Sequence, residues 1–440
     1  MLDPVAIDTD LREEASALLR RLVACDTSNP PGRETQAVAI LEDYLAAAGL
    51  ECERVAKDPE RANLIARLPG RGSGPSLAFL GHFDVVVARR EEWSVEPFAA
   101  VERDGAIWGR GTVDMKGQVA ASAVALAALA REGFRPAGDL MLLVMADEEV
   151  GEAEVGAPYF VEQRPDLCPD FVVGEGAGER YDTTAGPVYL LDHGVKATAT
   201  ATVTVRGRPG DASLSDAGPN ALYEVGRLLA RLEAYRSPVR IPAQVEPLID
   251  ALAPGDAPPH ERLAAARVTH PAIDRVFGAL VGTTFQPSVL EAPAPQNVVP
   301  ATATLTIACG PLPGTTGEQL EAELREALGD GEYEIELTTP PKGGSISDED
   351  SPLRDAIEEF LGAEDPQARL IPTLGYGYSD CHVLREAYGC IAYGFIPFRY
   401  GDAVVNLETK HGADERVLVD DLEFQTRAAL AIARTIGSQE

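Results

Sequence analysis

Apolar residues recur along this chain with two periods. A helical period of about 3.6 residues runs over residues 10 to 24 and again through "ETQAVAILEDYLAAAGL". Two helices are predicted, the first stopping before a Pro-Pro-Gly turn and the second at a glycine. Short apolar runs follow at "ANLIARL", "SLAFLGHFDVVV", "DLMLLVMA" and "DFVVGE", and these read as strands. Between them "GQVAASAVALAALAREG" reads as an alanine-rich helix closed by Gly133. Apolar strands alternating with helices predict an α/β domain with a mostly parallel sheet and helices on both faces.

The pattern changes near Gly194. "VKATATATVTVRG" and "NVVPATATLTIACG" alternate strictly, as half-exposed strands do. "NALYEVGRLLARLEAY" and "TGEQLEAELREALG" read as helices, "YEIELTT" as a strand, and residues 237 to 260 as a proline-rich irregular stretch. Residues 194–338 are therefore expected to form an α+β unit inserted into a domain made of 1–193 and 339–440.

Composition adds exclusions. No apolar run reaches the length of a membrane span, and the first thirty residues do not read as a signal peptide, so a cytoplasmic location is expected. The six cysteines form no CxxC pair, which argues for reduced thiols and against a thiolate metal site. A net charge of −32 excludes nucleic acid and anionic membrane as natural partners. A small molecule or short peptide remains as the expected substrate.

Polar residues collect where the apolar strands end. His82 and Asp84 lie near the end of one strand, Asp147, Glu148 and Glu149 follow another in "MADEEVG", and Glu175 ends a third in "VVGEG". Asp114 sits on the glycine-flanked "WGRGTVDMKG", just before the alanine-rich helix. Ligand sites in open α/β sheets form beyond the carboxyl ends of the strands. Acids converging there repel one another unless a cation holds them. One imidazole with several carboxylates suits Zn, Mn or Co. Residues 82 and 84 share a face of the strand, so Asp84 can support His82 as a ligand. Taken singly, each motif has a plain structural reading: a core histidine, a helix-starting acid run, a turn of glycines.

In order, "GHFDVV", "GRGTVDMKG", "ADEEVG", "GEG" and "KHGADERV" resemble the co-catalytic zinc peptidase and amidohydrolase family. That family includes acetylornithine deacetylase, succinyl-diaminopimelate desuccinylase, aminoacylase and glutamate carboxypeptidase. The resemblance implies two divalent ions, zinc first, with Mn or Co as alternatives. It implies His82 and Glu175 on one ion, Glu149 and His411 on the other, and Asp114 bridging both, with a cis peptide after Asp114. Asp84 supports His82, and Glu148 is the general acid/base. The inserted unit is implied to be a lid and a possible homodimer surface. Its long stretch before "NVVP" is more similar to the carboxypeptidase S and N-acyl-amino-acid hydrolase branch than to the desuccinylases.

The chain departs from the family pattern twice. In "GRPGDASLSDAGPNAL", Asp211 stands where the family has a histidine that steadies the oxyanion. An ionised aspartate cannot donate a hydrogen bond. Cys309, Gly310 and Pro311 stand where an arginine that would clamp a substrate carboxylate is expected. Asn297 of "NVVP" is retained, and "GYGYSDCHVLREAYG" resembles the family's pocket segment, so Ser379 and Asp380 are further candidates for substrate contact. The expected activity is cleavage of an amide bond in a small N-acyl amino acid or peptide-like compound. The rivals are a metal-binding homologue with impaired catalysis, and hydrolysis of a non-amide C–N bond as in a deamination.

Overall fold

Alanine fills the buried face of the helix Lys116–Arg131, and small side chains let other helices approach it closely. In the computed structural model, which describes residues 10–214 and 218–439, this helix is buried nearly from end to end. It packs beneath the main sheet together with Asp10–Val23, Thr35–Ala47, Pro352–Glu364 and Val419–Gly437. The opposite face of the sheet is covered by Ala157–Gln163 and Cys381–Tyr388 around Leu143, Phe160 and Leu384.

That sheet has eight strands, in the order Glu51–Val55, Asn63–Leu68, Leu140–Met145, Leu77–His82, Phe171–Thr183, Ile391–Phe398, Gly186–Val195 and Arg369–Gly375. The centre is parallel: Leu77–His82 pairs in parallel with Leu140–Met145 and Phe171–Thr183, and Phe171–Thr183 with Ile391–Phe398. Their carboxyl ends open on one side, which brings His82, the 147–149 turn and Glu175 together. Phe171–Thr183 does not stop at Glu175 as the sequence pattern suggested. It runs on for eight residues, but its register against Ile391–Phe398 shifts between Gly394 and Phe395, opposite Gly174 and Ala177. Glu175 therefore projects from an irregular point inside a strand, a common way to re-aim a side chain. A side chain at Gly394 would come within 2.5 Å of the Glu175 carbonyl, which explains the glycine there.

A separate antiparallel sheet runs Thr284–Glu291, Thr302–Gly310, Ala197–Arg206, Tyr333–Gly343. Alternate residues of Ala197–Arg206 are buried under the helices Ala221–Ala234 and Gly317–Leu328, as the strict alternation requires. The stretch 237–260, expected to be irregular, holds the helix Glu246–Leu252, and Pro259–Arg267 and Pro271–Leu280 follow. Each of these helices carries proline in its first turn, where the missing N–H has no partner to lose. Prolines that look like breakers are thus helix starters. Their apolar faces, including Leu248, Ile249 and Phe277, pack on Val188, Leu190 and Leu374 of the eight-stranded sheet.

Candidate metal centre

Two imidazoles face the two oxygens of one carboxylate. His82 Nε2 lies 3.2 Å from Asp114 Oδ1, and His411 Nε2 lies 3.0 Å from Asp114 Oδ2. Glu175 Oε2 stands 3.7 Å from His82 Nε2, and Glu149 Oε2 stands 3.1 Å from His411 Nε2. Among the described residues, His82, Asp114 and Glu175 form one group able to hold an ion, and Asp114, Glu149 and His411 form another. The ligand atoms within each group lie within 4.8 Å of one another. Glu148 belongs to neither group. Its Oε2 is 3.9 Å from His82 Nε2, and it lines a small cavity with His82, Glu175, Ser379 and Asp380.

The backbone that presents these groups is unusual. The Asp114–Met115 peptide is cis. Asp147 and His411 both have positive φ, 59°, outside glycine's usual monopoly. Positive φ at such residues persists only where surrounding contacts hold it. For Asp147 the contacts are Asn29 Nδ2 at 2.9 Å and Arg61 Nη2 at 3.4 Å on its Oδ1. Asn29 also donates to Asp84 Oδ2 at 3.0 Å.

Asp84 supports more than His82. His82 Nδ1 is 2.9 Å from the main-chain carbonyl of Asp84 and 3.6 Å from its Oδ1. The carboxylate meanwhile accepts the N–H groups of Glu148 (3.1 Å) and Glu149 (3.0 Å). One buried aspartate thereby fixes the turn that carries both glutamates.

A residue that sequence reasoning missed does the same for Asp114. Glu415 Oε1 accepts the N–H groups of Val113 (2.7 Å) and Asp114 (3.0 Å), and Oε2 accepts Gly111 N–H (2.9 Å) and Arg110 Nη1 (2.6 Å). Glu415 is fully buried and follows His411 by four residues, so one loop delivers a ligand and the clamp for another. Its signal was an acid inside "KHGADERV". Lys410 was also missed: its Nζ lies 2.7 Å from Glu175 Oε1 and 3.6 Å from Asp114 Oδ2.

The remaining candidates divide by place. Ser379 is buried, donates to the Glu175 carbonyl at 3.3 Å, and lines the cavity at Glu148 with Asp380. Asp211 and Asn297 lie exposed on the smaller sheet's side of the molecule, joined by an Ala212 N–H to Asn297 carbonyl bond of 3.1 Å. Neither lines the cavities beside the two imidazoles. Residues 215–217 of the stretch that follows Asp211 lie outside the described residues. At Gly310, a Cβ would fall 2.5 Å from Thr284 Oγ1, so this strand end does not accommodate an arginine without rearrangement. His193, His270 and His382 are held by local bonds away from the cluster.

The electrostatics match a cation site. Burial alone would lower His411, but Asp114 and Glu149 outweigh it and lift the imidazole to about 10. Burial would raise Asp114, yet Lys410 and the two imidazoles bring it well below the usual carboxylate range. Burial, and then the neighbouring Glu175, push Glu148 well above its ordinary value. Among the described residues, Glu149 Oε1 is buried without a hydrogen-bond partner, an acceptor left open beside the cluster. These hard oxygen and imidazole donors fit a pair of divalent ions. Ions bound there would supply the positive charge that the carboxylates attract.

Known proteins share this arrangement's sequence and fold. Residues 78–435 match the profile of Peptidase family M20/M25/M40. The chain is 31% identical over 427 residues to succinyl-diaminopimelate desuccinylase of Rhodospirillum rubrum, covering 92% of this chain and 94% of that protein. In fold it is similar to the M20 family metallo-carboxypeptidase Sso-CP2 from Sulfolobus solfataricus (TM-score 0.71, 18% identity, 96% of this chain and 99% of that one). It is also similar to human carnosine dipeptidase 1 (TM-score 0.72, 16% identity, 97% of each chain). A match over most of the chain, with a relative above 30% identity along its length, leaves one conclusion: the chain belongs to Peptidase family M20/M25/M40, the metal-dependent hydrolases.

Proposed function

We propose that the protein cleaves an amide bond of a small N-acyl amino acid or peptide-like substrate, with two divalent ions at the centre. His82 and Glu175 would hold one ion, Glu149 and His411 the other, with Asp114 between them. The observation that carries this reading is the pair of imidazoles on opposite oxygens of Asp114, with Glu148 beside them and outside both ligand groups. Zinc suits the donors best, with Mn or Co as alternatives. Bound there, such ions polarise a carbonyl and make water a nucleophile near neutral pH.

Glu148 does the proton work. Its carboxylate takes a proton from the attacking water and later gives it to the amine nitrogen as the C–N bond breaks. The Asp84 carboxylate holds the Glu148 N–H, which fixes where that carboxylate points. The unit of residues 194–338 is proposed to act as a lid over this centre.

Metal analysis should give close to two ions per chain. The Glu148→Gln variant should keep both ions and lose on the order of 100-fold or more in kcat, the scale of a removed general base. Activity that survives in that variant would overturn the assignment.

Asp211 favours a second reading, that of an impaired hydrolase. Its bonds to the Ser213 N–H (2.9 Å) and hydroxyl (2.8 Å) hold its carboxyl below the ordinary value, so it stays ionised and cannot donate to an oxyanion. Restoring a donor with Asp211→His discriminates the two. A gain of about 100-fold on simple N-acetyl amino acids supports impairment, whereas a loss of activity shows that Asp211 serves the native substrate.

A further inference from the structure

A second cleft opens from the candidate metal centre on the far side of Glu175. It shares Glu175 and Ser379 with the cavity at Glu148 and holds about 50 Å³. A water-sized group needs roughly 10–15 Å³ by the same kind of measure, so the cleft takes a group of a few heavy atoms. Leu190 and Val276 supply aliphatic surface, Tyr181 and Tyr376 supply aromatic faces, and Glu179 and Asp192 supply two carboxylates.

Those carboxylates are conspicuously placed. Asp192 is 5% exposed, on the apolar strand Gly186–Val195. Its Oδ2 accepts the Ala177 N–H at 2.8 Å, and its other oxygen has no donor among the described residues. Gly176 and Gly375 stand on either side: a Cβ at either would fall within 2.9 Å of Asp192 Oδ2. Glu179 lies four residues beyond Glu175 on the same strand, with the Tyr181 hydroxyl facing it. Among the described residues, neither Glu179 nor Asp192 makes an ion pair. Lys410 is the cleft's one basic lining residue, and its amine is engaged by Glu175 and Asp114 at the mouth. The lining carries three carboxylates, Glu175, Glu179 and Asp192, against that one lysine.

Burying charge without a partner is unfavourable. Burial, together with the neighbouring acid, raises Asp192 to about 7, and burial raises Glu179. A cation entering the cleft reverses that, and aromatic faces attract the same kind of group. An aliphatic floor suits the stem that carries it. An anionic group finds no free basic partner among the lining residues, because the Lys410 amine is already engaged at the mouth.

We propose that this cleft, walled by Glu179, Asp192, Tyr181 and Tyr376, binds an alkylammonium or guanidinium group of the substrate and makes the enzyme selective for cationic amides. The proposal rests on the hydrolase reading of the adjoining centre.

The metal-loaded enzyme is tested on matched pairs that place the cation on either side of the amide. These are N-acetyl-lysine against N-acetyl-norleucine, and lysyl-glycine against norleucyl-glycine. In at least one pair, kcat/KM for the cationic member should exceed that of its partner by tenfold or more, and Glu179→Gln and Asp192→Asn should each shrink that ratio at least fivefold. Equal or reversed preference in both pairs overturns the proposal, as does a ratio that survives in Glu179→Gln. Since Asp192 also accepts a main-chain N–H, an unfolded Asp192→Asn leaves Glu179→Gln to decide. If no pair is hydrolysed, calorimetry with n-butylammonium decides. Binding that Glu179→Gln weakens tenfold upholds the cleft while the hydrolase reading falls. Binding that is absent, or unchanged in the variant, overturns the cleft as well.

Discussion

Asp192 follows an apolar run, Val188 to Leu191, in a buried strand, and its protonation is tied to the stability of the fold. Burial lifts it to about 7, so the folded state keeps a proton that the unfolded chain, with an ordinary carboxyl, has released. Stability from this group is complete below the ordinary carboxylate value and is lost as pH rises toward 7. Asparagine is neutral throughout. The stability of wild type relative to Asp192→Asn should therefore fall between pH 5.5 and pH 8, by on the order of 1–3 kcal/mol, because each tenfold change in proton affinity is worth about 1.4 kcal/mol. Urea denaturation at the two values measures it, and a difference that does not change with pH refutes the assignment. Single residues also mark how far the sequence could be read. His82, Asp114, Glu148, Glu149, Glu175 and His411 stand in ordered motifs, and the structure gathers all six. Asp192 and Glu179 carry no motif: each becomes visible only once one strand lies against the next.

At the scale of elements, local patterns were legible and partnerships were not. The alternation of Ala197–Arg206 announced its strand, because one face is buried and the other is not. Thr284–Glu291, mostly exposed along its length, offered no such pattern, and the short helix Glu246–Leu252 hid between prolines. The small sheet of Val101–Arg103, Ala106–Trp108 and Arg416–Leu418 was equally hidden, because each strand has only three residues and the third comes from a distant part of the chain. It brings Glu415 under the Asp114 loop. In Glu415→Gln one oxygen acceptor becomes an NH₂ group facing main-chain N–H donors, and Arg110 loses its counter-charge. Breaking a buried pair in this way costs about 3–5 kcal/mol. The variant should unfold at a lower temperature and bind fewer than two ions per chain. Unchanged metal content and melting temperature would show that the clamp does not position Asp114.

The whole molecule carries a net charge of −32, and part of that charge converges on one centre. Bulk charge was plain in the composition, but it did not say which acids face one another. Cations that bind only the folded state stabilise it, by about 2.7 kcal/mol for each site at a hundred times its dissociation constant. Chelation should therefore lower the melting temperature by several degrees, and Zn, Mn or Co should restore it. A melting temperature indifferent to chelator and metal would argue against a resident pair of ions.

The clamp between Glu415 and the Asp114 loop joins residues 301 apart in the chain. During synthesis, His82, Asp114 and Glu175 leave the ribosome long before His411 and Glu415 do. Asp114 belongs to both groups of ligands, so neither group is held in place until the segment that carries Glu415 has been made. A nascent or truncated chain that stops short of residue 415 lacks both the His411 ligand and the clamp, and with them the paired centre.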